Sequence, residues 1–341
     1  MPSIQISARL RRAVTLGAAL LLVATASVYV APASLAVHDT GQFELDGNIA
    51  HDSATTPPYD WASLFGAAGN RLVTPDPNNG PLLASQFVSD AATPDASYFN
   101  SNKDIEAIAD WGCGPSNNPT NKDDILNAYA ALIAIPANAP DNAGHNVLYL
   151  GSERDSNNGD SFAGFWLLKD SGVGCTSGGF SGHHTDGDIL VLSNYTNGGG
   201  TQDVQVYRWT GNDATGSPVA VPGLSGSTCG GAANDNACAI ANTSTITSPW
   251  SPTSHAGNTF VEAGIDLTAL LGGSGGCFTT FMAETRSSQQ ITATLKDFAA
   301  GQFNTCPQPP VTTTATPGGS LVAPGTSQHD VATVAAVGNR P

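Results

Sequence analysis

Between Val37 and Cys306 the chain is a succession of short apolar or aromatic runs separated by Gly, Asn, Asp, Ser and Pro. Runs of that length, bounded by turn-forming residues, predict strands rather than helices. Strands are expected at FELDGNIA (43–50), SFAGFWLLK, GDILVLSNY, TQDVQVYRW, NTFVEAGID, CFTTFMAET and ITATLKDF. In NAYAALIAI the residues Tyr129, Ala131, Ile133 and Ile135 fall in phase, and the Pro-rich PANAPDNAGH then leads into NVLYLGSE. The two runs read as an antiparallel pair. A helix over KDDILNAYAALI, capped by Asn121, is the competing reading, because Ala and Leu are strong helix formers. Ile189 to Leu192 lacks polar alternation, as expected of a central strand covered on both faces. In DVQVYRW, Val204, Val206 and Arg208 oppose Gln205, Tyr207 and Trp209, so both faces carry bulky groups. Helices long enough to connect parallel strands are missing from the pattern, which makes the fold an all-β, two-sheet antiparallel β-sandwich.

The pattern changes at both ends. Residues 1–36 have a basic start, an apolar run from Ala13 to about Val30 and small residues at Ser34 and Ala36, the layout of a secretory signal cleaved after Ala36 or, as the alternative, after Ala33. Arg11-Arg12 hints at a twin-arginine route, but the strong apolar stretch favours ordinary secretion. No later run approaches the ~20 apolar residues of a membrane helix, so no membrane span is expected once the signal is removed. Residues 37–306 form the expected sandwich domain, residues 307–320 a Pro/Thr-rich linker, and residues 321–341, with HDVATVAAV, a loose tail or the opening of a further domain.

Composition narrows the partners. The 341 residues include 38 Gly and 22 Pro and only 12% charged residues, which suits turns and short strands. With Arg9, Arg11 and Arg12 gone with the signal, nine basic residues face 28 acidic ones, a net charge of −19. That field disfavours nucleic acid and anionic membrane surfaces and leaves cations and neutral ligands. All six cysteines follow the signal and contain no CxxC, so disulfides are expected rather than a zinc site. Six cysteines allow 15 complete pairings; order and proximity favour Cys113 with Cys175, Cys229 with Cys238, and Cys277 with Cys306.

The densest polar stretch is GSERDSNNGDSFAGFW, where Glu153, Asp155, Asn157 and Asp160 offer hard oxygen ligands, with Asp186 and Asp188 before another strand. Ca²⁺ takes ~6–8 such oxygens, so these six are candidate calcium ligands. The competing reading is that Asn, Gly and Asp turn a hairpin while Arg154 or Lys169 balances a carboxylate. His183, His184 and Asp186 invite a metal reading, but adjacent residues on a strand point to opposite sides. Nucleophile motifs such as GxSxG and HExxH are absent. A glycosidase needs two carboxyls ~5–9.5 Å apart, for which Asp186 with Asp188 or Glu262 with Asp266 are the weak candidates; Glu284 and Arg286 read as a structural pair on one strand face. Each of the five tryptophans reads first as packing. A glycan platform, if there is one, would use Tyr195, Trp209 or Trp250.

Five ordered motifs, KDDILNAYAA, ERDSNNGDSFAGFW, GDILVLSNYTNGG, FVEAGIDLTALLG and CFTTFMAETRSSQQITATLKDFAAGQFNTC, resemble a family of uncharacterised secreted or surface bacterial proteins, mainly actinobacterial, over residues 43–306. That resemblance implies an N-terminal β-sandwich module followed by Ig-like or prealbumin-like repeats, so VTTTATPGGSLVAPGTSQHDVATVAAVGNRP would be an incomplete Ig-like segment. It supplies no catalytic residue. LDG, Asp60-Trp61 and VLYL before an acidic loop are more weakly similar to family 9 carbohydrate-binding modules, which points to a jelly-roll or carbohydrate-binding-module-like sandwich. The expectation is a secreted or cell-surface non-catalytic module for adhesion or display, with extracellular polysaccharide or surface glycan as partner. An extracellular carbohydrate hydrolase and a purely structural spacer are the alternatives.

Overall fold

The computed structural model describes residues 37–53, 57–90, 98–114, 118–176, 179–195, 203–226, 228–230, 235–272, 276–307, 311–316 and 329–334. The expected signal, residues 1–36, lies outside them. The first strands are β1 (Leu82–Ser89), β2 (Ile125–Ala134), β3 (Asn146–Arg154) and β4 (Ser161–Leu168), followed by a small hairpin of β5 (Gly174–Thr176) and β6 (Gly179–Ser181). Next come β7 (Ile189–Tyr195), β8 (Gln205–Thr210), β9 (Ser217–Ala220) and β10 (Ala237–Ala241). A second small hairpin, β11 (Ile246–Thr247) with β12 (Ser254–His255), precedes β13 (Phe260–Asp266), β14 (Thr280–Arg286) and β15 (Leu295–Gln302). Helices α1 (Trp61–Leu64) and α2 (Leu267–Leu270) are single turns.

One sheet has the order β1-β2-β3-β13-β10 and the other β15-β14-β4-β7-β8-β9, and neighbouring strands in both are antiparallel. The sheets pack face to face through Ala128, Ala130, Leu132, Leu148 and Leu150 on one side and Phe165, Leu167, Val191, Phe281 and Ala283 on the other. This is the expected all-β sandwich.

Both outer faces are also buried. A first cover, residues 37–53 with 57–65, lays Phe43, Trp61 and Phe65 over Tyr129, Ile133, Tyr149 and Phe260 of the first sheet, joined by Trp250 from the β11–β12 turn. A second cover, residues 98–114 with the β5–β6 hairpin, lays Phe99, Trp111 and Phe180 over Trp166, Leu190, Trp209, Met282 and Phe298 of the second sheet. Strands between a core and a cover have no solvent face, which is why β13 and β14 are buried at all seven positions and their sequences lack alternation.

The strand reading of NAYAALIAI holds: β2 is buried at nine of its ten positions, and its small alanines let sheet and cover approach from both sides. FELDGNIA is not a strand. It belongs to the first cover, with a single bridge from Phe43 to Tyr59, and Gly47 at φ 85° breaks its extension. Conversely, β1 is not announced by the pattern. The three disulfides are Cys113–Cys175, Cys229–Cys238 and Cys277–Cys306, the pairing that order and proximity favour. Part of the segment expected as linker is a strand: β16 (Val311–Thr316) pairs antiparallel with β17 (His329–Val334), because its Thr and Val residues suit extended backbone. No helix among the described residues is long and apolar enough to cross a membrane.

Candidate functional site

The acidic loop expected to bind calcium closes the β3–β4 hairpin, and its polar groups are largely tied to protein partners. Glu153 is fully buried under the first cover, where it accepts hydrogen bonds from Asn127 Nδ2 at 2.7 Å, Trp250 Nε1 at 2.7 Å and Tyr129 Oη at 3.1 Å. Burial pushes its carboxyl up to about 7, against the pull of those three donors. Arg154 folds into the loop, donating to the carbonyls of Asn258 and Gly159 at 2.9 and 3.0 Å. Asn157 donates to Gly257 O, Lys122 Nζ donates to Asp160 O, and Asp155 is exposed. Asp186 is exposed before β7, 3.9 Å from Arg208. Asp188 is buried and accepts from the backbone N–H groups of Lys169 and Thr185, with His184 Nδ1 3.3 Å away. The six residues therefore do not converge, and among the described residues no group of three or more metal-ligating side chains does. Arg154 thus donates to backbone carbonyls, and an ion pair next to the loop joins Lys122 to Asp123.

The aromatic platform is corrected by burial. Trp209 is 0% exposed and stacks on His184 with ring centroids 3.8 Å apart; Trp250 is 2% exposed and bonds Glu153. Neither can meet a sugar ring. Tyr195 ends β7, and its side chain lies outside the described residues. The adjacent histidines part company, His184 buried and His183 exposed beside Asp170. Glu262 and Asp266 stand four residues apart on β13, ~13 Å by strand rise and beyond glycosidase spacing. Asp266 instead accepts from Asn142 Nδ2 at 2.7 Å and caps α2 through Ala269 N.

Tertiary structure brings together groups the motifs did not link. His255 Nε2 lies 2.9 Å from Ser248 Oγ, and its Nδ1 lies 3.6 Å from Glu153 Oε2, the order of groups in a nucleophile, base and carboxylate relay. The hydroxyl, however, faces the carbonyl oxygens of Trp250 and Pro252 at 3.0 and 2.8 Å. An acyl-transfer site needs N–H donors there to hold the developing oxyanion, and carbonyls oppose it. The array is a tie that closes the β11–β12 turn over Glu153.

Two further carboxyl groupings lie between covers and sheets. Glu262 accepts from Gly47 N at 2.6 Å, Asp46 N at 2.8 Å and Trp61 Nε1 at 2.8 Å, while Asp60 accepts from Trp61 N and caps α1. On the second sheet, Asp104 accepts from Trp166 Nε1 at 2.9 Å and is ion-paired with Arg286 Nη2 at 2.6 Å, and Glu284 Oε1 stands 3.9 Å from Arg286 Nη1. A Cβ at Gly164 would lie 2.3 Å from Glu284 Oε1 and force that side chain to shift.

Open concavities occur at the two ends of β2. Before its start, a cleft of about 250 Å³ is lined by Ser101, Asn118, Thr120, Asp123, Thr294 and Lys296, with Phe99 at its side. Asp123 is held by Lys122 Nζ at 2.8 Å, Ser161 Oγ at 2.8 Å and Thr120 Oγ1 at 3.1 Å. Beyond the other end, a cleft of about 270 Å³ is lined by Leu83, Leu132, Leu267 and Leu271 with Asn146 and Thr305. The acidic loop borders the polar cleft through Lys122, which bonds both Asp123 and Asp160 O. No protein-family model, curated protein or solved structure matches the chain.

Proposed function

We propose that the chain is a secreted, non-catalytic surface module that binds an extracellular polysaccharide at the polar cleft before β2. The observation that carries this reading is the lining of that cleft. Hydroxyls of Ser101, Thr120 and Thr294, the amide of Asn118 and the ammonium of Lys296 are the donors and acceptors that sugar hydroxyls match. At about 250 Å³ the cleft is small against the ~300–1,000 Å³ of drug-sized pockets, which suits a chain end or a single branch. Three disulfides fit an oxidising compartment, and the expected resemblance to secreted surface modules agrees with it.

The non-catalytic part rests on the distribution of carboxyls. Among the described residues the polar cleft holds one, Asp123, already salt-bridged to Lys122, whereas a glycosidase needs two facing the substrate. The paired carboxyls of Asp60 with Glu262 and Asp104 with Glu284 are buried. Affinity electrophoresis against a panel of neutral and acidic polysaccharides tests the reading. At least one polymer should retard the protein, and Asn118→Ala with Thr294→Ala should abolish the retardation while the fold is kept. Retardation by none, or equal retardation of the variant, overturns the site; release of reducing ends overturns the non-catalytic assignment.

A further inference from the structure

The two covers contribute little regular structure, yet each sets a buried carboxyl near a buried carboxyl of the sheet beneath it. Asp60 of the first cover and Glu262 of β13 are both 0% exposed and flank Trp61, whose backbone N–H bonds one and whose indole bonds the other. Glu262 is served by three N–H donors, but Asp60 Oδ2 receives none from the described residues. The groups facing the pair make matters worse for two negative charges. Glu44 and Asp46 add like charge from the cover, Tyr129 and Tyr149 approach from β2 and β3, and no cation touches the pair among the described residues. One proton taken up by the pair removes one of the two charges, and a neutral carboxyl at Asp60 bears burial without a donor at Oδ2 at far lower cost than a carboxylate.

The second cover repeats the device with one difference. Asp104 and Glu284 are 0% and 1% exposed; neither oxygen of Glu284 receives a donor from the described residues, and its neutral carboxyl can donate to Asp104. Here Arg286 of β14 stands beside both, Trp166 of β4 bonds Asp104, and the half-buried Tyr207 of β8 looks in from the edge. Glu106 of the cover is turned away, onto Asn102.

We propose that these two carboxyl pairs are proton-dependent latches: as pH rises each pair loses its proton and its cover loosens from the sheet, the Asp60–Glu262 latch first because it has no cation beside it. Burial raises Asp60, Glu262 and Glu284 well above the usual carboxylate range, so the folded state binds protons that the opened state releases. The closing energy is therefore complete at low pH and is lost as pH rises through the raised values. Loosening uncovers Trp61 and Tyr129 on one face and Trp166 on the other, while Cys113–Cys175 keeps the two parts of the second cover joined. The latches do not depend on what the polar cleft binds.

Amide hydrogen exchange of the disulfide-intact protein, resolved by peptide and corrected for the intrinsic pH dependence of exchange, tests the proposal. Release of one proton on opening changes the opening equilibrium about tenfold per pH unit, so protection of residues 43–65 should fall at up to that slope somewhere between about pH 5 and 9. Residues 99–113 should follow at higher pH. Glu262→Gln, a neutral isostere, should flatten the dependence of the first cover and leave that of the second; Glu284→Gln should do the converse. Should Glu262→Gln fail to fold, Asp60→Asn carries the same test. Protection of the first cover that is constant over this range, or an unchanged slope in the neutral variants, overturns the latch.

Discussion

At the scale of single residues, the acid-base character of this protein is set by how completely covers exclude water. Burial holds Glu153 at about 7 and lowers His255, 3.6 Å away, to about 4. For Glu153 the folded state keeps its proton longer than the unfolded chain does. Its contribution is complete below the ordinary value of 4.5 and is lost as pH rises to about 7. His255 has the opposite sign: its contribution is present above 6.5 and is lost as pH falls to about 4. The two slopes oppose each other where their windows overlap, so the pair spares the fold a steep pH dependence there. Glu153→Gln keeps the shape and removes one slope. The stability of the natural protein relative to this variant should fall by on the order of 3 kcal/mol between about pH 4.5 and 7, read from urea midpoints; parallel profiles would refute it. Packing is equally specific at Gly151, where a Cβ would come 2.3 Å from the Tyr129 ring, whereas nothing lies within 4 Å of one at Gly174. Gly151→Ala should cost about 1–3 kcal/mol and lower Tm, while Gly174→Ala should leave it nearly unchanged; equal Tm values for the two would show that the ring can move aside.

At the scale of elements, what matters is how sheet edges are closed. The β15 edge is covered by Tyr98 and Phe99, which pair with Asp297 and Lys296. The β10 edge is met by Thr228, and Arg71 donates to Ser85 O on β1. The remaining edge strand, β9, is short and carries Pro218 next to Val219, which is 51% exposed. A strand proline belongs on an edge, and there it discourages pairing with another chain. Pro218→Val should shift the protein to larger species in concentration-dependent size-exclusion runs, and an unchanged elution profile would show that Pro218 is not the guard. Strand identity was readable where the run was long and β-branched or aromatic, as in GDILVLSNY, and where two runs supported each other, as in NAYAALIAI with NVLYLGSE. It failed at FELDGNIA, whose apolar residues serve a cover; apolar content alone does not separate a strand from an irregular segment pressed on a sheet.

At the scale of the whole molecule, two sheets and two covers form four layers, and the disulfides tie irregular segments to them. Cys113–Cys175 joins the two parts of the second cover, residues 98–114 and β5, across 62 positions, while Cys229–Cys238 spans nine. In the chain-entropy treatment these closures are worth about 4 and about 2.5 kcal/mol. Replacing both partners of the longer bridge with Ala should therefore lower the denaturant midpoint more than replacing those of the shorter one, and the reverse order would show that strain or residual structure outweighs loop length. Four layers also explain why all five tryptophans are buried at 2% exposure or less.

The sequence by itself determined the secondary-structure class and the antiparallel sandwich, and its cysteine order favoured, without fixing, the neighbour-to-neighbour disulfides. Run length and turn residues are local properties, and local sterics set their outcome. It also held both readings of the acidic loop, with Arg154 named as the possible balancing cation. Only the tertiary structure decided which groups meet. Trp61 reaches Glu262 across 201 positions, Trp250 reaches Glu153 across 97, and Trp166 reaches Asp104 across 62. No periodicity links such residues, because each pair joins a strand to a cover whose path is fixed by the sheet face it must seal. The same sealing turned the candidate aromatics Trp209 and Trp250 inward, moved Glu153 out of its loop, and left the polar cleft to Asn118, Thr120, Thr294 and Lys296, which lie on segments that become neighbours only when β2 and β15 begin at the same end of the sandwich.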